Sequence, residues 1–208
     1  MALNRAIVVD DHPLVRMAVR VLLTENGFSV LAESDNGLEA QKLVELHQPD
    51  IMVIDVDIPA VDGIEVVKAL RRRDYAGIII MISGKNADVY ARLCADAGAN
   101  GFVSKKNNLP EILSAINAGM DGYSYFPMKK SRAASGDKTE EKNKIETLSA
   151  QEFRVFQHLV EGLHNADIAK KLHLSGKTVS TYKTRLMEKL GCSTTKELYE
   201  FAKRNNID

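Results

Sequence analysis

Apolar and polar positions follow two rhythms along the chain. Over residues 1–121, short apolar runs alternate with stretches of helical spacing. The runs predict strands at Ala6–Val9, Ser29–Glu33, Ile51–Ile54, Ile78–Ile82 and Gly101–Ser104. Helices are expected between and after them at 13–25, 37–47, 62–72, 88–97 and 109–119. Ile51–Ile54 and Ile78–Ile82 are apolar at every position, the pattern of central strands buried on both faces. Strands alternating with helices through short loops specify an α/β doubly wound, five-stranded parallel sheet with helices on both faces.

From Leu148 onward the helical period takes over and no strand is expected. Ser149 followed by Glu152, and Thr194 followed by Glu197, have the spacing of capping boxes, in which a hydroxyl and a carboxylate satisfy orphan amides of the first turn. Helices are expected at 150–161, 166–172, 176–190 and 195–204, an all-α four-helix domain. A unit of about 60 residues is small but folds alone. Between the two regions lies KKSRAASGDKTEEKNKIET, residues 129–147. It is too polar to bury the surface that would offset ordering entropy, and reads as a flexible linker. The aromatic segment Gly122–Pro127 is expected to pack back on the first domain. The expected division is therefore 1–121, 122–147 and 148–208.

Charge sharpens this division. The 208 residues hold 28 Lys plus Arg and 28 Asp plus Glu, a formal net charge of zero. That balance alone argues against a basic nucleic-acid coat or an acidic tail. Partitioned, it reads differently. Residues 1–128 carry 12 basic and 17 acidic side chains, net −5; residues 129–144 carry 6 and 3; residues 145–208 carry 10 and 8. Within the last region, 164–191 hold 6 basic and 2 acidic groups. No apolar run approaches the ~20 residues of a membrane helix, and no signal peptide precedes Asp10, so a cytoplasmic protein without a membrane partner is expected. Cys94 and Cys192 match no redox or metal spacing and read as free buried thiols. His12, His47, His158, His164 and His173 show no zinc spacing.

The candidate chemistry falls at strand C-terminal ends. Asp10 and Asp11 follow the first strand, Asp55 closes the third, Ser83 the fourth and Lys105 the fifth. Ligands of open parallel sheets bind beyond those ends. Converging carboxylates repel unless a cation neutralises them, and oxygen ligands with open water positions suit Mg²⁺. A lysine and a hydroxyl beside such a cation make a phosphoryl site, with an aspartate as nucleophile forming an acyl phosphate.

Val9-Asp10-Asp11-His12-Pro13, Ile54-Asp55-Val56-Asp57-Ile58-Pro59 with Gly63, Ile82-Ser83-Gly84 and Gly101-Phe102-Val103-Ser104-Lys105 resemble the receiver domain of two-component response regulators, a flavodoxin-like fold. The resemblance implies that Asp55 is the phosphoacceptor. It implies that Asp11 and Asp55 hold Mg²⁺ through carboxylates, Asp57 through its main-chain carbonyl and Asp10 through water. Ser83 and Lys105 then contact the phosphoryl group, and Phe102 is the switch aromatic. Many receivers follow this lysine with a cis proline; here Lys106 follows. The alternative reading is a haloacid-dehalogenase-like phosphatase using Asp55 and Asp57. In that family the DxD motif sits on the first core strand and the acidic pair comes late, the reverse of the order here. Ser175-Gly-Lys-Thr178 mimics the end of a phosphate-binding loop, but Lys171 stands where glycine is required and a helix precedes it.

Projected at about 100° per residue, Val179, Tyr182, Leu186 and Leu190 share one stripe of the helix over 176–190. The opposite face carries Lys177, Ser180, Thr181, Thr184 and Glu188. A short helix, a turn and this longer helix have the form of a helix-turn-helix. An ordinary bundle with a solvated polar face is the other reading of the same pattern. Leu148-Ser-Ala-Gln-Glu152, Asn165-Ala-Asp-Ile-Ala169, Leu174-Ser-Gly-Lys-Thr-Val179 and Lys189-Leu190 resemble the LuxR-type DNA-binding domain. Together the two resemblances indicate the NarL/FixJ family, and Tyr125-Phe-Pro127 and Lys177-Thr-Val-Ser-Thr-Tyr-Lys183 resemble its BvgA/EvgA group. This implies a phosphorylation-controlled transcriptional regulator and not an enzyme. Its expected partners are a hybrid sensor histidine kinase, double-stranded promoter DNA, RNA polymerase and a second copy of the chain. The candidate DNA contacts are Lys177, Thr178, Ser180, Thr181, Lys183, Thr184 and Arg185. Leu198, Tyr199, Phe201 and Ala202 are candidate dimerisation residues; Leu198, Phe201 and Ala202 serve equally well to close the domain's own core.

Overall fold

The computed structural model describes residues 4–85, 87–106, 109–127, 141, 143–145, 147–172, 174–205 and 207. The chain divides into two compact units, Met1–Lys129 and Lys130–Asp208. In the first, strands β1 (Arg5–Val9), β2 (Ser29–Ser34), β3 (Ile51–Asp55), β4 (Ile78–Ser83) and β5 (Gly101–Ser104) form one sheet in the order β2-β1-β3-β4-β5. All four pairings are parallel. Helices α1 (Pro13–Glu25), α2 (Gly37–His47), α3 (Gly63–Arg71), α4 (Ala87–Ala97) and α5 (Glu111–Met120) follow the strands in turn. This is the expected doubly wound architecture, with the strand order reversing between β1 and β3.

On one face, Val19 and Leu23 of α1 and Ile112, Ala115 and Ile116 of α5 share a core with Ala6, Val8, Val53, Ile80 and Val103. The alternate strand positions Ile7, Val9, Met52, Ile54, Ile79, Met81 and Phe102 are buried on the other face, as the period of two requires. There α2, α3 and α4 pack side by side. Strands β2, β3 and β4 run one residue further than expected, so Asp55 and Ser83 are themselves the last residues of β3 and β4.

Two glycines fix the loop that follows Asp55. A Cβ on Gly63 would lie 2.2 Å from the Asp55 carbonyl oxygen, and one on Gly37 would lie 1.7 Å from that of Val61. The N-termini of α3 and α2 therefore press against backbone, an approach only glycine allows. Asp62 caps α3, its Oδ1 accepting from the amides of Ile64 and Glu65.

The segment after α5 packs on the sheet as expected. Tyr125 donates its amide to the Asn100 carbonyl (2.9 Å) and accepts from the Phe102 amide (2.8 Å), forming a parallel bridge with Gly101 along the outer edge of β5. A Cβ on Gly101 would sit 3.0 Å from the Tyr125 carbonyl oxygen.

The second unit comprises α6 (Ala150–Val160), α7 (Asn165–Lys171), α8 (Gly176–Leu190) and α9 (Thr195–Arg204). Phe153, Phe156, Ile168, Val179, Leu186, Leu190, Leu198, Phe201 and Ala202 are buried in it. Phe156 meets Phe153 and Phe201 edge to face. Tyr182 is only half-buried. Of the two readings open for three of the four dimerisation candidates, the structure shows the core one. Leu198, Phe201 and Ala202 face α6 and close the unit's own core, leaving Tyr199 as the exposed one.

The expected linker needs a correction at its end. Residues 143–145 are helical and Ile145 is buried. Glu141 pairs with Arg204 (2.8 Å) and accepts from Asn205 (2.9 Å). One large apolar side chain and one ion pair attach this stretch to the helical unit despite its polar surroundings. Residues 128–140 of the expected linker lie outside the described residues.

Candidate functional site

Asp55 is almost fully buried at the end of β3, and Asp10, just past β1, is fully buried. Lys105, just past β5, reaches between them. Its Nζ lies 2.7 Å from Asp55 Oδ2 and 2.7 Å from Asp10 Oδ2. The register explains the meeting. β3 lies between β1 and β4, β5 borders β4, and the Lys105 amide donates to the Ser83 carbonyl, carrying the ladder one step beyond Ser104. Ser83 is fully buried at the end of β4, its Oγ accepting from the Lys85 amide (3.1 Å). Phe102 is fully buried in β5.

The electrostatics of Asp55 are set first by desolvation, which pushes its pKa up to about 6; Lys105 pulls downward and the Asp10 charge adds to the rise. Burial would depress the Lys105 ammonium, but hydrogen bonds and charge from Asp10 and Asp55 outweigh it and hold its pKa above the usual lysine value. Lys105 is therefore cationic at neutral pH. Asp55 Oδ1 is buried with no hydrogen-bond partner among the described residues. A buried carboxylate oxygen without a donor is costly, a cost that a cation could offset.

One ligand atom each from Asp10, Asp11, His12 and Asp55 lie within 4.8 Å of one another. Carboxylates around an unsatisfied buried oxygen fit a hard divalent cation. The Asp57 side chain is outside this group: it is exposed and pairs with Lys85 (2.6 Å). His12 and Lys85 are the two participants that sequence reasoning missed. His12 Nδ1 lies 2.6 Å from Asp11 Oδ1, and Lys85 spans from Asp57 to the Tyr90 ring. The signal for His12 was its place between the acidic pair and Pro13. Nothing in the sequence paired Lys85 with Asp57 across two loops. The Lys105–Lys106 peptide is trans, like every other peptide among the described residues.

In the second unit, Ser175 caps α8 by accepting from the Thr178 amide (3.0 Å). Lys177, Ser180, Thr181, Thr184 and Arg185 lie exposed along this helix, and Thr178 and Lys183 are half-buried. Thr181 and Thr184 return their hydroxyls to carbonyls one turn back. Asn165 at the start of α7 donates to Ser180 Oγ (3.3 Å), and Lys183 donates to Thr195 Oγ1 (3.4 Å). Lys189 is absorbed internally, pairing with the buried Glu152 at 2.6 Å. The seven candidates thus share one helix that follows a shorter helix across a tight turn.

The pattern of the receiver domain of response regulators matches residues 6–117, and that of the luxR family of bacterial regulatory proteins matches residues 146–202. The chain belongs to the NarL/FixJ family of response regulators. This response regulator is 51% identical over 202 residues to EvgA of Escherichia coli strain K12, a DNA-binding transcriptional activator, covering 97% of this chain and 98% of EvgA. It is 42% identical over 206 residues to the transcription regulator BvgA of Bordetella pertussis, covering 98% and 99% of the two. The response regulator RcsB in a complex with DNA superimposes with a TM-score of 0.74 at 26% identity, over 96% of this chain and 98% of that one. The phosphatase reading finds no support in these relatives. No helix among the described residues is long and apolar enough to cross a membrane.

Proposed function

We propose that Asp55 is the phosphoacceptor of this response regulator and that its phosphorylation controls promoter binding by α8. The single observation that carries the reading is the buried Asp55 carboxylate. One oxygen is paired with Lys105 and the other has no donor. An Asp55 oxygen attacks phosphorus in the phosphohistidine of a sensor kinase. The P–N bond breaks, its electron pair stays on the imidazole nitrogen, and an acyl phosphate forms. Mg²⁺, when held by the Asp11 and Asp55 carboxylates, the Asp57 carbonyl and, through water, Asp10, would neutralise charge on the transferred group. Lys105 holds a phosphoryl oxygen by charge, and the Ser83 hydroxyl turns from the Lys85 amide to donate to another. Phe102, adjoining these residues in β5, moves with Ser83 between two states of one equilibrium.

The protein turns over no substrate in this role. It acts in the cytoplasm, with 1–121 as receiver, 122–147 as connection and 148–208 as DNA-binding domain. As a homodimer it places two α8 helices in the major groove at half-sites about 10 bp apart. Lys177, Lys183 and Arg185 serve phosphates, and Thr178, Ser180, Thr181 and Thr184 approach base edges. Tyr199 supplies the exposed aromatic for pairing along α9, and RNA polymerase is engaged at the promoter. The names of EvgA and of the RcsB–DNA complex support DNA as the target.

Acetyl phosphate with Mg²⁺ should label the protein at Asp55, and Asp55→Asn should remove the label. Persistent labelling of the variant would overturn the assignment. Lys183→Ala should weaken binding to every sequence and flatten its salt dependence; a loss confined to one operator would instead make Lys183 a base reader.

A further inference from the structure

We propose that Thr181 and Thr184 read thymine in the major groove, each packing its side-chain methyl group against the C5-methyl of the base. This deepens the reading of α8 as the DNA-contacting helix and rests on it.

At about 100° per residue, Thr181 and Thr184 stand opposite Val179, Leu186 and Leu190, which are buried in the unit's core. Both threonines are exposed, so they lie on the ridge that meets a groove first. Their hydroxyls are already engaged. Thr181 Oγ1 donates to the Lys177 carbonyl at 3.0 Å, and Thr184 Oγ1 donates to the Ser180 carbonyl at 3.1 Å. A threonine in a helix has two favoured side-chain states, and the bond to the carbonyl one turn back selects between them. What each side chain then offers a groove is its methyl group. The neighbouring hydroxyls are engaged as well. Thr178 Oγ1 shares a hydrogen bond with Ser175 Oγ (2.7 Å), and Ser180 Oγ accepts from Asn165 (3.3 Å).

The composition of the helix narrows the choice of base. α8 contains no Asn or Gln, the side chains that hold adenine by two hydrogen bonds. An A·T pair is then distinguished by its other mark in the major groove, the thymine methyl, and a threonine methyl is a fitting partner for it. Desolvation favours the same contact. A hydroxyl bonded to its own backbone needs no new donor or acceptor when water leaves the groove, so the methyl contact gains apolar burial without stranding a polar group. Readout by the hydroxyls would require both carbonyl bonds to be exchanged for bonds to base edges.

The test uses the full-length protein, treated with acetyl phosphate and Mg²⁺, and a duplex library with a randomised centre. Duplexes selected by the wild-type protein should carry thymine at fixed positions of each half-site. Deoxyuridine at those positions, which removes only the methyl, should weaken binding about fourfold per thymine, the effect of one buried methyl group. Thr181→Ser and Thr184→Ser delete the methyl and keep the hydroxyl, and each should bind thymine and deoxyuridine equally at the position it reads. Thr181→Val and Thr184→Val keep a methyl and delete the hydroxyl, and each should retain the thymine preference. Equal wild-type affinity for the thymine and deoxyuridine duplexes would overturn the proposal and leave α8 as the DNA-contacting helix. Valine variants that lose the preference, beside serine variants that keep it, would also overturn it, because the hydroxyls would then read the bases. Failure of the protein to bind any duplex of the library would remove the reading of α8 as well.

Discussion

Each unit of the protein holds a buried carboxylate paired with a lysine, and the two pairs behave in opposite ways. Asp55 meets Lys105 at 2.7 Å and Glu152 meets Lys189 at 2.6 Å; both carboxylates are almost entirely buried. Burial pushes the Asp55 pKa up to about 6. Burial pushes at Glu152 too, but Lys189 and the hydrogen bonds from Ser149 prevail and hold it below the usual carboxylate range. Distance does not separate the two pairs. Depth and donors together do: the Lys105 side chain is 15% exposed against 38% for Lys189, and desolvation weighs more on Asp55 than on Glu152. Glu152 Oε2 accepts from both Lys189 and the Ser149 amide, whereas Asp55 shares its lysine with Asp10 and keeps one oxygen without a donor. A satisfied buried carboxylate holds a fold together; an unsatisfied one is poised for chemistry.

The sharpest way to break this comparison is to neutralise each acid. Asp55→Asn should reduce acyl-phosphate labelling to background, read by mass spectrometry after treatment with acetyl phosphate. In cation-free protein the same variant should leave the first unit at least as stable as before, because it removes a desolvated charge while Lys105 keeps Asp10 as its partner; a large destabilisation would mean that the Asp55 pair holds the fold.

The next effect is one of pH. With chelator present, folded Asp55 keeps its proton up to about pH 6, whereas its ordinary value is 3.8. The folded state therefore binds more protons across that window. The stability it contributes is complete below about pH 4 and lost as pH rises to 6, amounting to about 3 kcal/mol. Residue-resolved hydrogen exchange in the first unit at the two pH values should show the drop, and Asp55→Asn should flatten it. A rise over the same window would reverse the assigned sign.

Glu152→Ala should cost the second unit about 2 kcal/mol, since it strands the Ser149 amide and opens the capping box. Lys189→Met, at a side chain 38% exposed, should cost only about 0.5–1 kcal/mol. Denaturant unfolding of the two variants checks both. Equal losses would place the stabilisation in the ion pair itself and not in the donors to Glu152.

What could be read before folding follows from what is local. Ile51–Ile54 and Ile78–Ile82 declare central strands by composition alone, and the capping pair Ser149 and Glu152 declares the start of α6. Asp55, Ser83 and Lys105 were legible as a set because strand ends in a parallel sheet converge. The apolar stripe of α9 was legible, but its destination was not: Leu198, Phe201 and Ala202 look the same from their spacing whether they meet another chain or Phe156. Ile145 was invisible because a single apolar residue in a polar run carries no period. The Lys85–Asp57 and His12–Asp11 contacts depend on loop conformations that no pattern along the chain encodes.

The bridge between Tyr125 and the outer side of β5 bears on how the first unit guards the edge of its sheet. β5 ends the sheet, and an uncovered terminal strand offers its free amides and carbonyls to any passing chain. The Phe102 amide and the Asn100 carbonyl are already occupied by Tyr125. A fragment cut after Asp121 would uncover both groups and invite edge-to-edge self-association. A fragment carried through Pro127 keeps its own backbone as the guard strand.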